Sequence, residues 1–315
     1  MEIFDAHIDT LSKIHLRQTG EVNFESLDFC HVDLKRMRQG GITAQVFAIF
    51  IHPRFKNIAL EQALSMVELL WQLIDTHQDA IGLVKTAADF DKLKKENKIS
   101  AILSLEGGEA LQGNIGLLRI FYELGVRALS LTWNHRNELA DGVGEKEPGG
   151  LSDRGKEVIS EMDRLGMVID VSHLGEKGFW DIISLSKNPI IASHSNAKAL
   201  CNHRRNLTDE QIKAIADSGG VIGVNFLPEF LVDQRKNATI ETVLDHITYL
   251  INIGGIDVVG LGSDFDGIDS TPQGLEDCAK VPAIIHGLEQ RGFSGNVIEK
   301  IMAGNMLRVF KSVLK

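Results

Sequence analysis

Eight short apolar runs, each followed by a longer amphipathic stretch, constrain the fold of this 315-residue chain more than any other feature of its sequence. The runs are rich in Val and Ile, and their alternation with helical patterns is typical of βα units repeated around a parallel sheet. Eight such units within about 250 residues match a closed (β/α)8 TIM barrel better than an open doubly wound sheet. The predicted strands are residues 2–9, 42–51, 100–107, 127–133, 167–173, 189–195, 220–226 and 258–266.

The amphipathic stretches between these runs carry helix start and stop signals. Ser152 and Thr208 stand where N-cap residues are expected, and glycine follows the last turn of several helices. Segment 294–313 has apolar residues at helical spacing after Ser294, and we expect it to close the barrel. No repeat or proline-rich linker divides the chain, so residues 1–315 are predicted to form a single barrel domain. The predicted helices are 57–77, 152–166, 208–220 and 239–255, with stops at Gly166, Gly219 and Gly254.

The composition argues against several kinds of partner. Lys and Arg number 33 against 43 Asp and Glu, and the resulting net charge of −10 repels nucleic acids and anionic lipids. Cys30, Cys201 and Cys278 form no CxxC pair, which fits a reducing compartment. The sequence has neither the layout of a signal peptide nor an uncharged apolar stretch of roughly eighteen residues. We therefore expect a cytoplasmic protein without nucleic-acid or membrane partners, and a homodimer from base rates.

Residues that can bind metal ions stand at the carboxyl ends of predicted strands, which is where barrel enzymes keep their active sites. His7 and Asp9 are two positions apart on the first strand, so both side chains point into the barrel mouth. Glu106 ends the third strand, where a buried carboxylate needs either a metal ion or an Arg or Lys partner. His173 and His194 end two successive strands. These ligand types suit Zn²⁺ and suffice for two ions that share one carboxylate.

Two further groups near the same rim are candidates for proton transfer and substrate binding. Asp264 and Asp266 follow the last strand and are two positions apart, so both side chains are expected on the same side of the chain. Either could be the acid–base residue, and Asp264 is favoured. Arg204 and Arg205 offer a guanidinium fork that can grip a carboxylate at two points. Each residue taken singly also fits an ordinary structural role, such as a salt bridge or a surface position.

Five sequence motifs, which contain the residues named above and follow one another in the right order, resemble those of the membrane (renal) dipeptidase family. The members of this family are metallopeptidases within the amidohydrolase-like barrels. The resemblance covers nearly the whole chain, and five ordered motifs are far more specific than any one of them. It implies that Asp264 is the acid–base residue and that Arg205 binds the substrate carboxylate. The motifs are HID at 7–9, SLEGGEAL at 104–111, VIDVSHLGEKGFWDI at 168–182, ASHSNAKALCNHRRN at 192–206 and GLGSDFDG at 260–267.

The resemblance also implies a binuclear zinc centre and a zinc-dependent dipeptidase activity. His7, Asp9 and Glu106 would hold one Zn²⁺ ion, Glu106, His173 and His194 the other, with Glu106 as the bridge. A hydroxide bridging the two ions would then attack the peptide bond of a dipeptide with a free C-terminal carboxylate. Family members often accept a D-residue at the C-terminal position, and some open β-lactam rings.

One position departs from the family pattern. After the fourth strand the family usually shows a Thr-His pair whose histidine contacts the substrate carbonyl. This chain has Trp133 at that point, with His135 two residues later. Either His135 polarises the carbonyl from a shifted loop or zinc does so alone, and both Trp133 and His135 are candidates for substrate binding.

The sequence is also compatible with two other interpretations of this site. A different amidohydrolase, such as a D-aminoacylase, lactonase or phosphotriesterase, would share the HxD motif and the paired histidines. Those enzymes commonly bridge their metals with a lysine, whereas Glu106 stands here with no lysine near its strand end, which favours the dipeptidase. The second reading is a barrel without catalysis, whose histidines are structural. The family's eukaryotic members are secreted and lipid-anchored, whereas we expect a soluble relative.

Overall fold

A closed barrel of parallel strands forms the centre of the computed structural model, which describes residues 1–17, 22–233 and 238–315. The strands are β1 Ile3–Ile8, β2 Ile42–Phe50, β3 Ile81–Leu83, β4 Ile99–Glu106, β5 Val126–Ser130, β6 Val168–Asp170, β7 Ile191–Ala192, β8 Val221–Val224 and β9 Val259–Leu261. Pairing of β1 with both β2 and β9, and of β2 with β4, closes an eight-stranded ring. The predicted (β/α)8 barrel and its eight strands are therefore confirmed.

The additional strand, β3, pairs with the first residues of β4 and lies outside the ring. It has only three residues, which is too short to show a strand periodicity in the sequence. Its pairing ends at Ala101, and from Leu103 onward the same edge of β4 pairs with β5 instead. The extra strand therefore does not alter the order of residues around the barrel mouth.

Helices cover the outside of the barrel between successive strands. Ser152 accepts a hydrogen bond from the Gly155 N–H and Thr208 one from the Gln211 N–H, which confirms both predicted N-caps. None of the helices in the described ranges is long and apolar enough to cross a membrane. The helices are α1 Thr10–Arg17, α2 Leu34–Gln39, α3 Ala59–Thr76, α4 Ala87–Lys95, α5 Ile115–Leu124, α6 Asp153–Leu165, α7 Glu176–Leu185, α8 Asp209–Asp217, α9 Pro228–Leu231, α10 Ile240–Gly254, α11 Pro282–Gln290, α12 Gly295–Glu299 and α13 Asn305–Val313.

Most predicted helix ends agree with the structure to within one residue, but α3 begins two residues later than predicted and α8 ends three residues earlier. Gly166 is the C-cap of α6 with a φ of +79°, a left-handed conformation that glycine adopts without strain. Gly219 follows the C-cap residue of α8, and Gly254 is the last residue of α10. Segment 294–313 is not one uniform helix, because a π-helical turn over Lys300–Gly304 separates α12 from α13.

The C-terminal helix fills the amino-terminal mouth of the barrel. Met306 and Phe310 of α13 belong to a buried apolar cluster with Phe4, Ile102 and Val221 from three of the strands. The rings of Phe4 and Phe310 have centroids 5.2 Å apart. This segment therefore closes the barrel, as its periodicity predicted, and leaves the carboxyl-terminal mouth as the open end.

Candidate metal centre

The five predicted metal ligands meet at the carboxyl-terminal mouth, and all are buried. His7 Nε2 lies 3.3 Å from Asp9 Oδ2 and 3.6 Å from Glu106 Oε2. On the other side, His173 Nε2 lies 2.9 Å and His194 Nε2 3.7 Å from Glu106 Oε1. Each carboxylate oxygen of Glu106 thus faces a different group of candidate ligands, and these two groups are the ones that the family resemblance implies.

Asn134 fixes the orientation of the His173 ring. The side-chain oxygen of Asn134 lies 2.8 Å from His173 Nδ1. Because an amide oxygen only accepts hydrogen bonds, Nδ1 carries the proton and the lone pair of Nε2 faces Glu106. Asn134 comes from the long loop between β5 and α6, and nothing in the sequence connects it with His173.

Asp170 fixes the orientation of the His194 ring through Ser193. Ser193 Oγ lies 2.5 Å from Asp170 Oδ2 and 2.8 Å from His194 Nδ1. A carboxylate only accepts, so the single hydroxyl proton goes to Asp170 and Ser193 Oγ accepts the proton of His194 Nδ1. The Nε2 lone pair of His194 therefore also points into the cluster. The sequence motifs did not predict this hydrogen-bond relay from Asp170 through Ser193 to His194. The position of Asp170 at the end of the buried strand β6 was the one sequence feature that could have indicated it.

The donor atoms fit divalent metal ions. His173 Nε2 and His194 Nε2 are 2.8 Å apart, and both present lone pairs, which repel one another without a cation between them. His7 Nε2 and Asp9 Oδ1 are buried without a hydrogen-bond partner, as is expected of atoms that bind an ion. Imidazole nitrogens and carboxylate oxygens are the donors that Zn²⁺ and similar ions prefer.

The electrostatics of the cluster agree with a site for cations. Burial lowers the pKa of His173 to about 4 and that of His194 well below its usual value, so both rings are neutral at pH 7, which is their ligand form. Burial also lowers the pKa of His7, but the charges of Glu106 and Asp9 outweigh it and hold that pKa well above its ordinary value. The carboxylates therefore favour positive charge at the point where His7 meets them.

Asp264 has fewer fixed hydrogen-bond partners at the barrel rim than Asp266 and is the better candidate for proton transfer. Asp264 Oδ2 accepts a hydrogen bond of 2.8 Å from Asn225, and burial raises the pKa of this carboxyl to about 6. Asp266 is held instead by Thr10 at 2.6 Å and by Lys13 at 3.1 Å, the latter a salt bridge. The geometry thus favours the first of the two aspartates that the sequence left open.

Arg205 and Trp133 line the cavity above the cluster, which has a volume of about 580 Å³. Arg205 is buried and donates from Nη2 to the His194 carbonyl at 3.2 Å, whereas Arg204 is exposed. The half-buried Trp133 ring lies 6.1 Å from the His173 ring between centroids. His135 is exposed, packs 5.8 Å from Trp133 and is not among the residues that line this cavity.

We expect Asp170→Asn to weaken zinc binding by roughly 10- to 100-fold, the usual cost of losing an outer partner of a metal-binding histidine. The asparagine amide can donate to Ser193, which then donates to His194 Nδ1 and leaves the proton on Nε2. Calorimetric zinc titration at pH 7 measures the effect. Asp163→Asn is the matched control, because Asp163 accepts hydrogen bonds from Lys187 and Asn188 outside the cluster. Unchanged zinc affinity in Asp170→Asn contradicts the relay.

Gly267 leaves room for two of the carboxylates. A Cβ atom at this position would lie 2.2 Å from Asp9 Oδ2 and 2.6 Å from Asp264 Oδ1, closer than real Cβ contacts allow. We expect Gly267→Ala to displace both side chains and to lower the kcat/KM of the dipeptidase activity that the resemblance implies about 100-fold, as misplacement of reacting groups by about 1 Å does. Gly295→Ala is the control, since a Cβ there meets nothing within 4 Å. Kinetics of Gly267→Ala equal to those of the control would contradict this reading.

A closed (β/α)8 barrel with buried imidazole and carboxylate donors at its carboxyl-terminal mouth defines the class of barrel metallohydrolases. Within this class, the sequence profile of the membrane dipeptidase family, peptidase family M19, matches residues 1–315. The chain therefore belongs to the membrane dipeptidase family and is a hydrolase of the metallo-dipeptidase type. This confirms the resemblance and the enzyme class that the sequence motifs predict.

Relatives named as dipeptidases and solved structures of metallopeptidases are similar to this chain over most of its length. Dipeptidase tcpJ of Claviceps purpurea is 34% identical over 90% of this chain and 69% of its own length. An uncharacterized dipeptidase of Schizosaccharomyces pombe is 35% identical over 98% of this chain and 80% of its own. The crystal structure of dipeptidase AC, a family M19 metallopeptidase, is 31% identical with a TM-score of 0.92 and covers 100% of this chain and 99% of its own. A Rhodobacter sphaeroides metallopeptidase liganded with a phosphinate mimic of L-Ala-D-Ala is 30% identical, with a TM-score of 0.89 and 99% coverage of both chains.

Proposed function

We propose that this chain is a zinc-dependent dipeptidase with two zinc ions. His7, Asp9 and Glu106 would hold the first ion, and Glu106, His173 and His194 would hold the second. The observation that carries this assignment is the position of Glu106, whose two carboxylate oxygens face separate groups of donors. When bound, such ions supply a water with a pKa of about 7 and polarise the scissile carbonyl.

Asp264 is the proton carrier in this proposal. Its carboxylate accepts the proton of the attacking water and delivers it to the leaving amine nitrogen. The pKa of about 6 keeps most of this group ionised at pH 7 and makes its protonated form accessible, which suits both transfers. Asn225 holds one of its oxygens at 2.8 Å.

Arg205 binds the free carboxylate at the C-terminal end of the substrate. Burial lowers the pKa of its guanidinium only to about 10, so the group is charged at neutral pH. Its Nε has no hydrogen-bond partner and can donate to a ligand. A fixed cation this close to the metal ligands restricts the enzyme to short peptides. Trp133 forms a wall of the same cavity, whereas the exposed His135 does not line it, so a bound metal ion rather than His135 would polarise the carbonyl.

The proposed substrates include L-Xaa-D-Xaa dipeptides. The supporting observation is the similarity to the Rhodobacter sphaeroides metallopeptidase with its L-Ala-D-Ala mimic. We also propose a cytoplasmic location without nucleic-acid partners, supported by three unpaired buried cysteines and the net charge of −10. A homodimer stays a prediction.

Metal analysis and a substrate panel test the proposal together. Protein purified without chelator should contain about two zinc ions per chain and should cleave L-Ala-L-Ala or L-Ala-D-Ala. The panel includes N-acyl amino acids, lactones and phosphotriesters, which the alternative amidohydrolase activities would consume. No bound metal with unchanged stability in chelator, or turnover confined to the other substrates, would reject the dipeptidase.

We expect Arg205→Ala to raise KM for dipeptides by roughly 10- to 100-fold, which corresponds to the loss of a charged hydrogen bond of about 1.5–3 kcal/mol. Zinc content should stay unchanged, because Arg205 is not among the donors. Steady-state kinetics on L-Ala-D-Ala measure the change. Arg308→Ala is the control, since that arginine is exposed on α13 and bonds to the Gly219 carbonyl. An unchanged KM in Arg205→Ala counts against its role.

A further inference from the structure

A second, smaller cavity of about 180 Å³ lies beside the metal centre. It shares His173 and Arg205 with the cavity above the metal ligands, so these two residues form a common wall. Its other walls come from the loops after β5, β6 and β7 and from the first turns of α7 and α8. We call this space the side cavity; neither the metal ligands nor the proton carrier of the proposed reaction explains it.

Positive charge dominates the side cavity. Lys198, Arg204 and Arg205 line it, against one carboxylate, that of the exposed Glu176. Lys198 is half-buried, and Arg204 makes only a long contact of 3.5 Å to the Gly144 carbonyl. The first turn of α7 adds the partial positive charge of a helix N-terminus. The cavity therefore favours an anionic ligand.

Besides the Arg205 Nε that the proposed function assigns to the α-carboxylate, one buried donor in the side cavity has no partner. Ser195 is 1% exposed, yet its Oγ makes no hydrogen bond. Buried polar atoms are almost always satisfied, and an unsatisfied donor that lines a cavity points to a ligand acceptor. A carboxylate has several acceptor sites and no donor, which complements a hydroxyl and cationic N–H groups.

We propose that the side cavity binds an acidic side chain, that of Asp or Glu, on the C-terminal residue of the dipeptide. This inference rests on the proposed function, in which Arg205 binds the α-carboxylate. The side chain leaves the same Cα atom, so it can enter the neighbouring space that Arg205 also lines. The apolar Val143, Leu174 and Phe179 contact its methylene groups, while Lys198 and Arg204 face its carboxylate.

Two substrates that differ only in charge test the proposal. The zinc-loaded protein should cleave L-Ala-D-Glu with a kcat/KM about tenfold above that for L-Ala-D-Gln, and 0.5 M NaCl should reduce this ratio. The double variant Lys198→Met, Arg204→Met should bring the ratio close to one. The control Lys213→Met, which changes a lysine of α8 outside the side cavity, should keep the wild-type ratio.

Product binding gives a readout that needs no turnover. Calorimetry should show tighter binding of D-glutamate than of D-glutamine to the wild-type protein, and no such difference for the double variant. A kcat/KM ratio near one in the wild type, or a ratio that the double variant leaves unchanged, overturns the acidic subsite and leaves the dipeptidase proposal intact. Failure to cleave any dipeptide overturns both.

Discussion

Replacing Glu106 with glutamine is expected to remove most of the bound zinc and to lower kcat/KM by about 1000-fold or more. Glu106 is the only residue of the proposed centre whose oxygens face both donor groups, at 3.6 Å from His7 Nε2 and 2.9 Å from His173 Nε2. A glutamine amide keeps the size but offers one neutral oxygen and an NH₂ group, which donates and cannot bind a cation. The substitution also removes the negative charge that the proposed centre would share between two ions.

Zinc content by elemental analysis and kinetics on L-Ala-D-Ala measure this effect. Glu109→Gln is the matched control, because Glu109 belongs to the same sequence motif but accepts a hydrogen bond from Asn137 outside the cluster. We expect that variant to keep both ions and nearly wild-type kinetics. A Glu106→Gln protein that retains two ions per chain and turns over within about tenfold of the wild type would remove the basis for a shared carboxylate.

Asp264→Asn is expected to keep its zinc and to lose activity, with kcat lower by roughly 100- to 10,000-fold, the usual contribution of general acid–base catalysis. The asparagine amide neither accepts a proton from water nor delivers one to the amine. KM should change little, because in the proposed function Arg205 and not Asp264 binds the carboxylate of the substrate. Equal zinc content in the variant and the wild type, measured in parallel, separates lost proton transfer from a lost metal ion.

The neighbouring aspartate provides the comparison for this prediction. Asp266 accepts hydrogen bonds from Thr10 Oγ1 and from the backbone N–H of His31, both at 2.6 Å, and forms a salt bridge with Lys13. We expect Asp266→Asn to lower the melting temperature while kcat stays within about tenfold of the wild type. The opposite pattern, with kcat lost in Asp266→Asn and kept in Asp264→Asn, would exchange the two roles.

The barrel could be predicted from the sequence because its strands are buried on both faces and therefore read as continuous apolar runs. The clustering of the candidate metal ligands could be predicted for a related reason. In a parallel barrel all strands end at one rim, so polar residues that directly follow apolar runs must meet there even when they are far apart in sequence. His7 and His194 have ring centroids 3.8 Å apart, although β1 and β7 begin about 190 residues apart in the chain.

The supporting contacts could not be predicted in this way. Asn134 and His173 are 39 positions apart, and the contact depends on the path of a long loop that has no periodicity. The choice between Asp264 and Asp266 depended on Thr10, Lys13 and His31, which no local pattern connects with the last strand. Sequence periodicity predicts which face a residue occupies, whereas hydrogen-bond partners across loops require coordinates.

The packing of α13 against the first strand also determines when the protein can fold during its synthesis. The ribosome makes residues 303–314 about 300 residues after Phe4 and Ala6, yet both segments contribute to the same buried apolar cluster. The barrel therefore cannot close around this cluster until α13 has been synthesised, and its apolar strands are exposed meanwhile to aggregation and to chaperones. Protein released before α13 is complete would lack the side chains of Met306, Val309 and Phe310 that seal one end of the barrel.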